Sequence, residues 1–430
     1  MKLNKGIVVS LLQKINRSLI SVDGKCIALG ICPDEFNYGF SYQYLSSSLY
    51  DGYLGIIIMV LVLENDNEYA DLLLEAEDLQ VNVEMLLKAM INHLEYIVSS
   101  SKQISHLCEK SIGLNGLSEL FILYKLTKKF CHNNKNILAM KALIESLFPK
   151  IKLYIYQSTV SEDCSIMTGY AGLLGAIINI ENQYLDDLSV FLGERIACLQ
   201  SDKGGWKNDF HTSLTGFSHG SAGIVAALSR LYQKRPSQPV LEAIIKALCF
   251  QKNEYSTLDQ IWPDNRFWRK RNQIAGGKHI NAWCHGAPGI LLSTIICFQN
   301  LSIINLKDAY VWDSIKITYN SIRSCNFEQL CCGSGGSTFI LNMLANSNIP
   351  LSTKTERLCE HSKDIYLDTI NTRYQCGLLP KSFPISSSNL LHPSFFLGAS
   401  GILMLYLSLT SDKYKDIMPT ILSSGIIDLK

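Results

Sequence analysis

The sequence predicts an all-α protein, an α/α toroid in which seven inner helices form a barrel inside seven outer ones. Three observations lead there. A Gly-x-x-Gly signature recurs along the chain, an apolar run of helical length nearly always follows it, and strand-like alternation is sparse.

The seven copies are Gly52–Gly55, Gly113–Gly116, Gly169–Gly172, Gly220–Gly223, Gly286–Gly289, Gly333–Gly336 and Gly398–Gly401. Their first glycines lie 61, 56, 51, 66, 47 and 65 residues apart, room for two helices and two connections per repeat. Between copies, residues such as Ile137, Met140, Leu143, Ile144 and Leu147 fall close to a 3.6-residue period, as one face of a packed helix should. Glycine at the start of an apolar helix costs helix propensity, so its recurrence points to unusual backbone angles or close approach of chain segments. If the repeats close into a ring, their glycine turns converge on one face. The expected organisation is a single domain over residues 1–430. Residues 235–281 are a candidate inserted lobe, marked by prolines, by Trp262-Pro263-Asp264-Asn265-Arg266-Phe267-Trp268 and by the basic Arg269-Lys270-Arg271.

Composition narrows the function. With 47% hydrophobic and 18% charged residues, the 430-residue chain can bury a large core. Its 39 Lys+Arg nearly cancel its 38 Asp+Glu, which argues against nucleic acid as a partner. The N-terminal stretch is a poor secretory signal, and the longest apolar runs fall short of a bilayer span, so no export and no direct membrane insertion are expected. Fourteen cysteines in an unexported chain do not read as a disulfide framework. Cys26, Cys108, Cys198, Cys249 and Cys297 sit in apolar, helical surroundings and read as small buried hydrophobes.

Chemistry-bearing residues collect at three of the glycine turns: Ser218-His219-Gly220, Trp283-Cys284-His285-Gly286 and Cys331-Cys332-Gly333. Three cysteines converging in a reducing compartment suit zinc, which prefers thiolate sulfur and tetrahedral geometry. Three protein ligands leave a fourth position open, the mark of a catalytic site, whereas His285 or Cys325 as a fourth ligand would make it a closed structural one. Neighbouring residues of a helix point about 100° apart, so Cys331 and Cys332 can both ligate only if the backbone beside Gly333 is not helical.

These motifs, in this order and over nearly the whole chain, resemble the LanC-like lanthionine cyclases. The resemblance rests also on Ser48-Leu49-Tyr50-Asp51-Gly52, Gly204-Gly205-Trp206, Trp262–Arg266 and Phe396-Leu397-Gly398-Ala399-Ser400-Gly401. It implies a zinc-dependent enzyme that adds a peptide Cys thiol to dehydroalanine or dehydrobutyrine, closing a (methyl)lanthionine thioether ring. One zinc per chain would be held by Cys284, Cys331 and Cys332, the last standing where most members have histidine, and His219 matches the catalytic histidine. The family commonly has Asp four residues before the third repeat's first glycine. Here that position is Ser165, with Asp163 two residues earlier as a displaced catalytic candidate or, alternatively, an exposed aspartate at a helix start. Arg266 and His285 are the candidate substrate-binding residues.

The implied partners are a dehydrated precursor peptide, a separate dehydratase and an export transporter, with the chain in the cytoplasm and its membrane association indirect. Two other readings stay open: a non-catalytic peptide-binding scaffold of a synthetase complex, and another α/α-barrel enzyme. A carbohydrate-active enzyme would need paired acid/base carboxylates, where these turns offer Cys and His.

Overall fold

The computed structural model of the protein describes residues 3–34, 39–130, 134–157, 162–207, 212–264, 281–301, 309–383 and 391–428. The chain opens with α1 (Lys5–Asn16) and an antiparallel sheet of β1 (Leu19–Val22), β2 (Lys25–Asp34) and β3 (Gly39–Tyr44). Helices then follow as α2 (Leu54–Glu64), α3 (Asn67–Leu74), α4 (Leu79–Val98), α5 (Ser101–Lys110), α6 (Leu117–Phe130), α7 (Lys135–Gln157), α8 (Tyr170–Ile177) and α9 (Gln183–Cys198). The remainder are α10 (Ser221–Lys234), α11 (Gln238–Asn253), α12 (Ala287–Leu301), α13 (Ala309–Ser324), α14 (Ser334–Ala345), α15 (Thr353–Gln375), α16 (Ala399–Thr410) and α17 (Ile417–Leu422). Among the described residues no helix is long and apolar enough to cross a membrane.

Every Gly-x-x-Gly opens an inner helix. These helices pack in sequence as α2, α6, α8, α10, α12, α14 and α16, and α16 returns to α2, so the barrel closes. Their burial matches that place: Leu54 to Leu63 on α2, all of α8 and Ala287 to Cys297 on α12 are buried without a polar face. The outer partners α4, α7, α9, α11, α13 and α15 each pack on the inner helix of their repeat and bury only a stripe, for example Val240, Ala243, Ile244 and Ala247 on α11. The seventh outer helix comes from the other end of the chain, where α1 packs against α16 and buries Ile7, Val8, Leu11, Leu12 and Ile15. Within 235–281, residues 238–253 form the regular outer helix α11, and 265–280 lie outside the described residues.

Strands are few among the described residues, as the sparse alternation predicts, but this sheet went unread in the sequence. Asp23 (φ 50°) and Gly24 (φ 71°) form the two-residue turn between β1 and β2, the left-handed pair that matches strand twist in a hairpin. The inner face of β2 places Cys26 and Ala28 in the core, against α4, while Ile20 and Ile27 pair across the outward face. Apolar residues on both faces erase the alternation that would announce a strand.

The glycines serve close approach. The first amides of four inner helices, α8, α10, α14 and α16, bond to carbonyls seven residues earlier: Ala171 N–H to Cys164 O (3.3 Å), Ser221 to Leu214 O (2.9 Å), Ser334 to Phe327 O (3.0 Å) and Ser400 to Pro393 O (3.3 Å). These bonds stand in for the side-chain caps that the glycine N-caps of α8, α10, α14 and α16 cannot provide. The turn is then so tight that a Cβ at Gly172, Gly223 or Gly336 would run into the carbonyl of Ile166, Phe217 or Leu330. A positive φ is needed at one motif glycine, Gly286 (φ 92°).

A belt of backbone hydrogen bonds ties the turns to one another around the ring. Asn115 N–H donates to Met167 O (2.8 Å), Met167 to Ser218 O (3.0 Å), Ser218 to Cys284 O (3.1 Å) and Cys284 to Cys331 O (3.4 Å). Cys331 then donates to Phe396 O (3.0 Å), and Phe396 to Tyr50 O (3.1 Å). The first and second repeats are joined by Leu49 N–H donating to Glu119 Oε2 on α6 (2.8 Å), and burial pushes that carboxyl well above the usual range. All seven turns therefore share one face, and side chains distant in sequence meet there.

Beside this belt, His392 gives a pH signature. Its Nδ1 accepts from Ser394 N–H (3.2 Å), and burial holds the ring at a pKa of about 4. A depressed folded-state value means that the stability tied to the neutral ring is fully present above the unfolded value near 6.5. It is lost as pH falls through 4. Urea unfolding from pH 7 to below 4 should show the parent losing roughly 3 kcal/mol more than His392→Gln. Equal losses in the two proteins would show that this histidine does not control acid stability.

Candidate metal and catalytic site

Cys284 comes from the fifth turn, and Cys331 and Cys332 from the sixth. Both turns lie ahead of their helices, so the two neighbouring cysteines escape the 100° divergence of helical residues. Their sulfurs, with that of Cys284, all lie within 4.8 Å of one another. Cys284 Sγ is 3.5 Å from Cys332 Sγ, which is 3.4 Å from Cys331 Sγ. A Zn–S distance of about 2.3 Å puts the sulfurs of a tetrahedral site about 3.8 Å apart, so the donor set fits zinc with little movement. Cys331 is buried, while Cys284 and Cys332 are half-exposed.

Neither candidate for a fourth ligand joins this group among the described residues. Cys325 donates to Phe327 O (3.2 Å). His285 is 2% exposed, and its Nε2 lies 3.5 Å from Asp264 Oδ1. The ring of His285 is thus turned into the fold, towards Asp264. Arg266, the other candidate substrate-binding residue, lies outside the described residues.

The environment of the sulfurs makes a cation chemically sensible. Hydrogen bonds from Cys284 and Cys332, then burial, push the Cys331 thiol well above its ordinary value. Three thiols this close cannot ionise together unless a cation balances them, and a bound metal inverts that logic by holding them as thiolates. Against Cys331 lies a group that the sequence reading passed over. Tyr50 donates its phenol to Cys331 Sγ (2.8 Å) while its ring stacks on Phe396 (centroids 5.2 Å apart). Burial first, and then the cysteines, hold the phenol well above its ordinary pKa, so it remains a donor at neutral pH. The signal lay in Ser48-Leu49-Tyr50-Asp51-Gly52: a tyrosine two residues before a motif glycine occupies the same rim as the cysteines.

His219 is half-buried in the fourth turn. Its neighbour Ser218 fixes that turn beside the cysteines, because both its N–H (3.1 Å) and its Oγ (3.0 Å) donate to Cys284 O. Asp163 stands one turn further round and is 8% exposed, which corrects its reading as an exposed helix-start aspartate; the helix begins seven residues later, at Tyr170. Its Oδ1 accepts from Ser165 N–H (2.7 Å), and its Oδ2 from Ser165 Oγ (3.0 Å) and from Thr168 Oγ1. Ser165, at the expected aspartate position, is thus a direct partner of Asp163. Beneath the site the buried rings of Phe217, Trp283 and Phe396 form an apolar floor, with centroid spacings of 5.7 and 4.9 Å.

The barrel with three thiols gathered on its glycine rim defines a class, and comparison with known proteins agrees. The chain belongs to the lanthionine synthetase C-like protein family, whose profile matches residues 43–423. It is 24% identical over 316 residues to the nisin biosynthesis protein NisC of Lactococcus lactis subsp. lactis, a match spanning 67% of this chain and 69% of that protein. Among solved structures, nisin cyclase superimposes with a TM-score of 0.59 at 20% identity, covering 87% of this chain and 92% of that one, which shows a shared fold. An inactive variant of the α-1,6-mannanase GH76A of Salegentibacter sp. HEL1_6 aligns over 98% of this chain and 99% of that one, but with a TM-score of 0.41 and 12% identity it carries no functional argument.

Proposed function

We propose that this chain is a zinc-dependent lanthipeptide cyclase, adding Cys thiols of a peptide to dehydroalanine or dehydrobutyrine residues of the same peptide. The observation that carries this reading is the meeting of Cys284, Cys331 and Cys332 on the rim, next to the turn of His219. A zinc ion held by the three cysteines would offer its remaining position to a substrate thiol and favour the thiolate at neutral pH, where a free thiol of pKa about 8.5 is mostly protonated.

The protein's own residues do the rest. A carbon–sulfur bond forms at the β-carbon of the alkene, and the α-carbon, left as an enolate, takes up a proton, so the peptide is isomerised without gain or loss of atoms. His219 is assigned the proton transfer, either accepting the thiol proton or delivering one to the α-carbon. Asp163 holds the neighbouring turn in shape through Ser165 and Thr168. The floor of Phe217, Trp283 and Phe396 keeps water from below the reacting groups. Such a substrate requires a dehydratase acting first. In this reading the chain works in the cytoplasm, with an export transporter as a further partner.

The test uses a dehydrated peptide bearing free cysteines, because mass alone cannot register an isomerisation. Incubation with zinc-loaded protein should consume thiols, counted by alkylation, and fragmentation should locate thioether rings. Thiols that persist despite tight peptide binding would establish a non-catalytic scaffold instead.

A further inference from the structure

We infer that Tyr50 is a positioning residue of the metal centre, whose phenol donates a hydrogen bond to the Cys331 thiolate and offsets the extra negative charge that Cys332 brings. The inference rests on the zinc reading above. Three thiolates on a divalent cation leave a formal charge of −1, against zero when one of the three is a neutral histidine. That added charge sits partly in a buried place, since Cys331 is 2% exposed, and buried charge is costly unless donors reach it.

The protein supplies one donor and aims it. Tyr50 Oη lies 2.8 Å from Cys331 Sγ. One residue, Phe396, fixes both ends of the bond: its ring stacks on Tyr50, its N–H donates to Tyr50 O (3.1 Å), and its carbonyl accepts from Cys331 N–H (3.0 Å). Donor and acceptor are therefore set by the same hydrogen-bonded belt, across the seam between the seventh and first repeats. Partners of this kind usually change metal affinity by 10–100-fold. The phenol lowers the electron density on sulfur, and it favours thiolate over thiol when metal and proton compete.

Tyr50→Phe keeps the stacked ring and removes the hydroxyl alone. Three readouts apply, none of which needs turnover: zinc affinity by chelator competition, the pH at which half the zinc is released, and the sulfur-to-metal charge-transfer band of the cobalt(II)-substituted protein. The variant should keep one metal per chain at saturation but bind it at least about 10-fold more weakly. It should release zinc at higher pH than the parent, and its cobalt band should move to lower energy because the sulfur is more electron-rich. Parent values for all three would overturn the inference while leaving the zinc reading intact; a parent protein that binds no zinc would overturn both. Should Tyr50→Phe not fold, Phe396→Leu carries the test. It keeps the hydroxyl but loosens its aim, and must shift affinity and band in the same directions by smaller amounts; parent values there would equally overturn the inference.

Discussion

Cys284→Ala is expected to leave the protein folded but with a small fraction of the parent's zinc, about one per chain, and with cyclisation at the background rate. Cys284 alone bridges the fifth turn to the sixth through sulfur, and its Sγ lies 3.5 Å from that of Cys332. Removing it leaves two adjacent thiols from one turn, a chelate too small to hold zinc tightly. The backbone of residue 284 should be unaffected, since its bonds to Ser218 and Cys331 run through the main chain. Elemental analysis of folded protein decides the matter, and stoichiometric zinc in the variant would remove Cys284 from the ligand set. The companion pair is Cys332→Ala, which should lose most of its metal for the same reason, and Cys332→His, which should keep it because imidazole nitrogen is an ordinary zinc ligand. A Cys332→Ala protein that holds zinc like the parent would show that another group completes the site.

The architecture was legible in the sequence because one physical requirement repeats seven times. Where a helix must start under the carbonyl of its own preceding turn, a side chain at Gly172 or Gly223 has no room, so the need for close approach is written as glycine. The rim cysteines and His219 were legible for the same reason: they sit at fixed offsets from those glycines. Contacts that depend on where a side chain turns were not legible. His285 carries the residue type of a ligand or substrate contact, but its ring goes to Asp264, 21 residues earlier in the chain. Asp163 looked like a solvated helix start because nothing local shows that Ser165 and Thr168 fold back onto it.

Two features of the N-terminal region went unread, for different reasons. The contact of α1 with α16 joins the two ends of the chain, and no local pattern encodes a partner some 400 residues away; its amphipathic face shows only that it packs on something. The hairpin, by contrast, did carry a local sign. Asp23-Gly24 between apolar runs is a strong two-residue turn signal, overlooked because the strands around it are apolar on both faces.

His219→Ala should retain its zinc and fold while cyclising at least about 10²-fold more slowly, the scale on which a positioned proton donor or acceptor acts. The separation from metal loss is structural. His219 is not among the convergent ligand atoms, and the bonds that fix its turn to Cys284 are made by Ser218. Its half-buried ring is open to a peptide in a way that His285, buried against Asp264, is not. The direction of proton transfer can be read from the parent: a single-turnover rate that rises with pH through the histidine's titration marks His219 as the base, and one that falls marks it as the acid. Asp163→Asn supplies the contrast. Its new amide would set a donor where Oδ1 or Oδ2 now accepts from Ser165 and Thr168, so it should lower thermal stability and slow cyclisation less than His219→Ala does. Should His219→Ala cyclise at the parent rate, the proton must come from solvent or another group, and the role assigned to His219 falls.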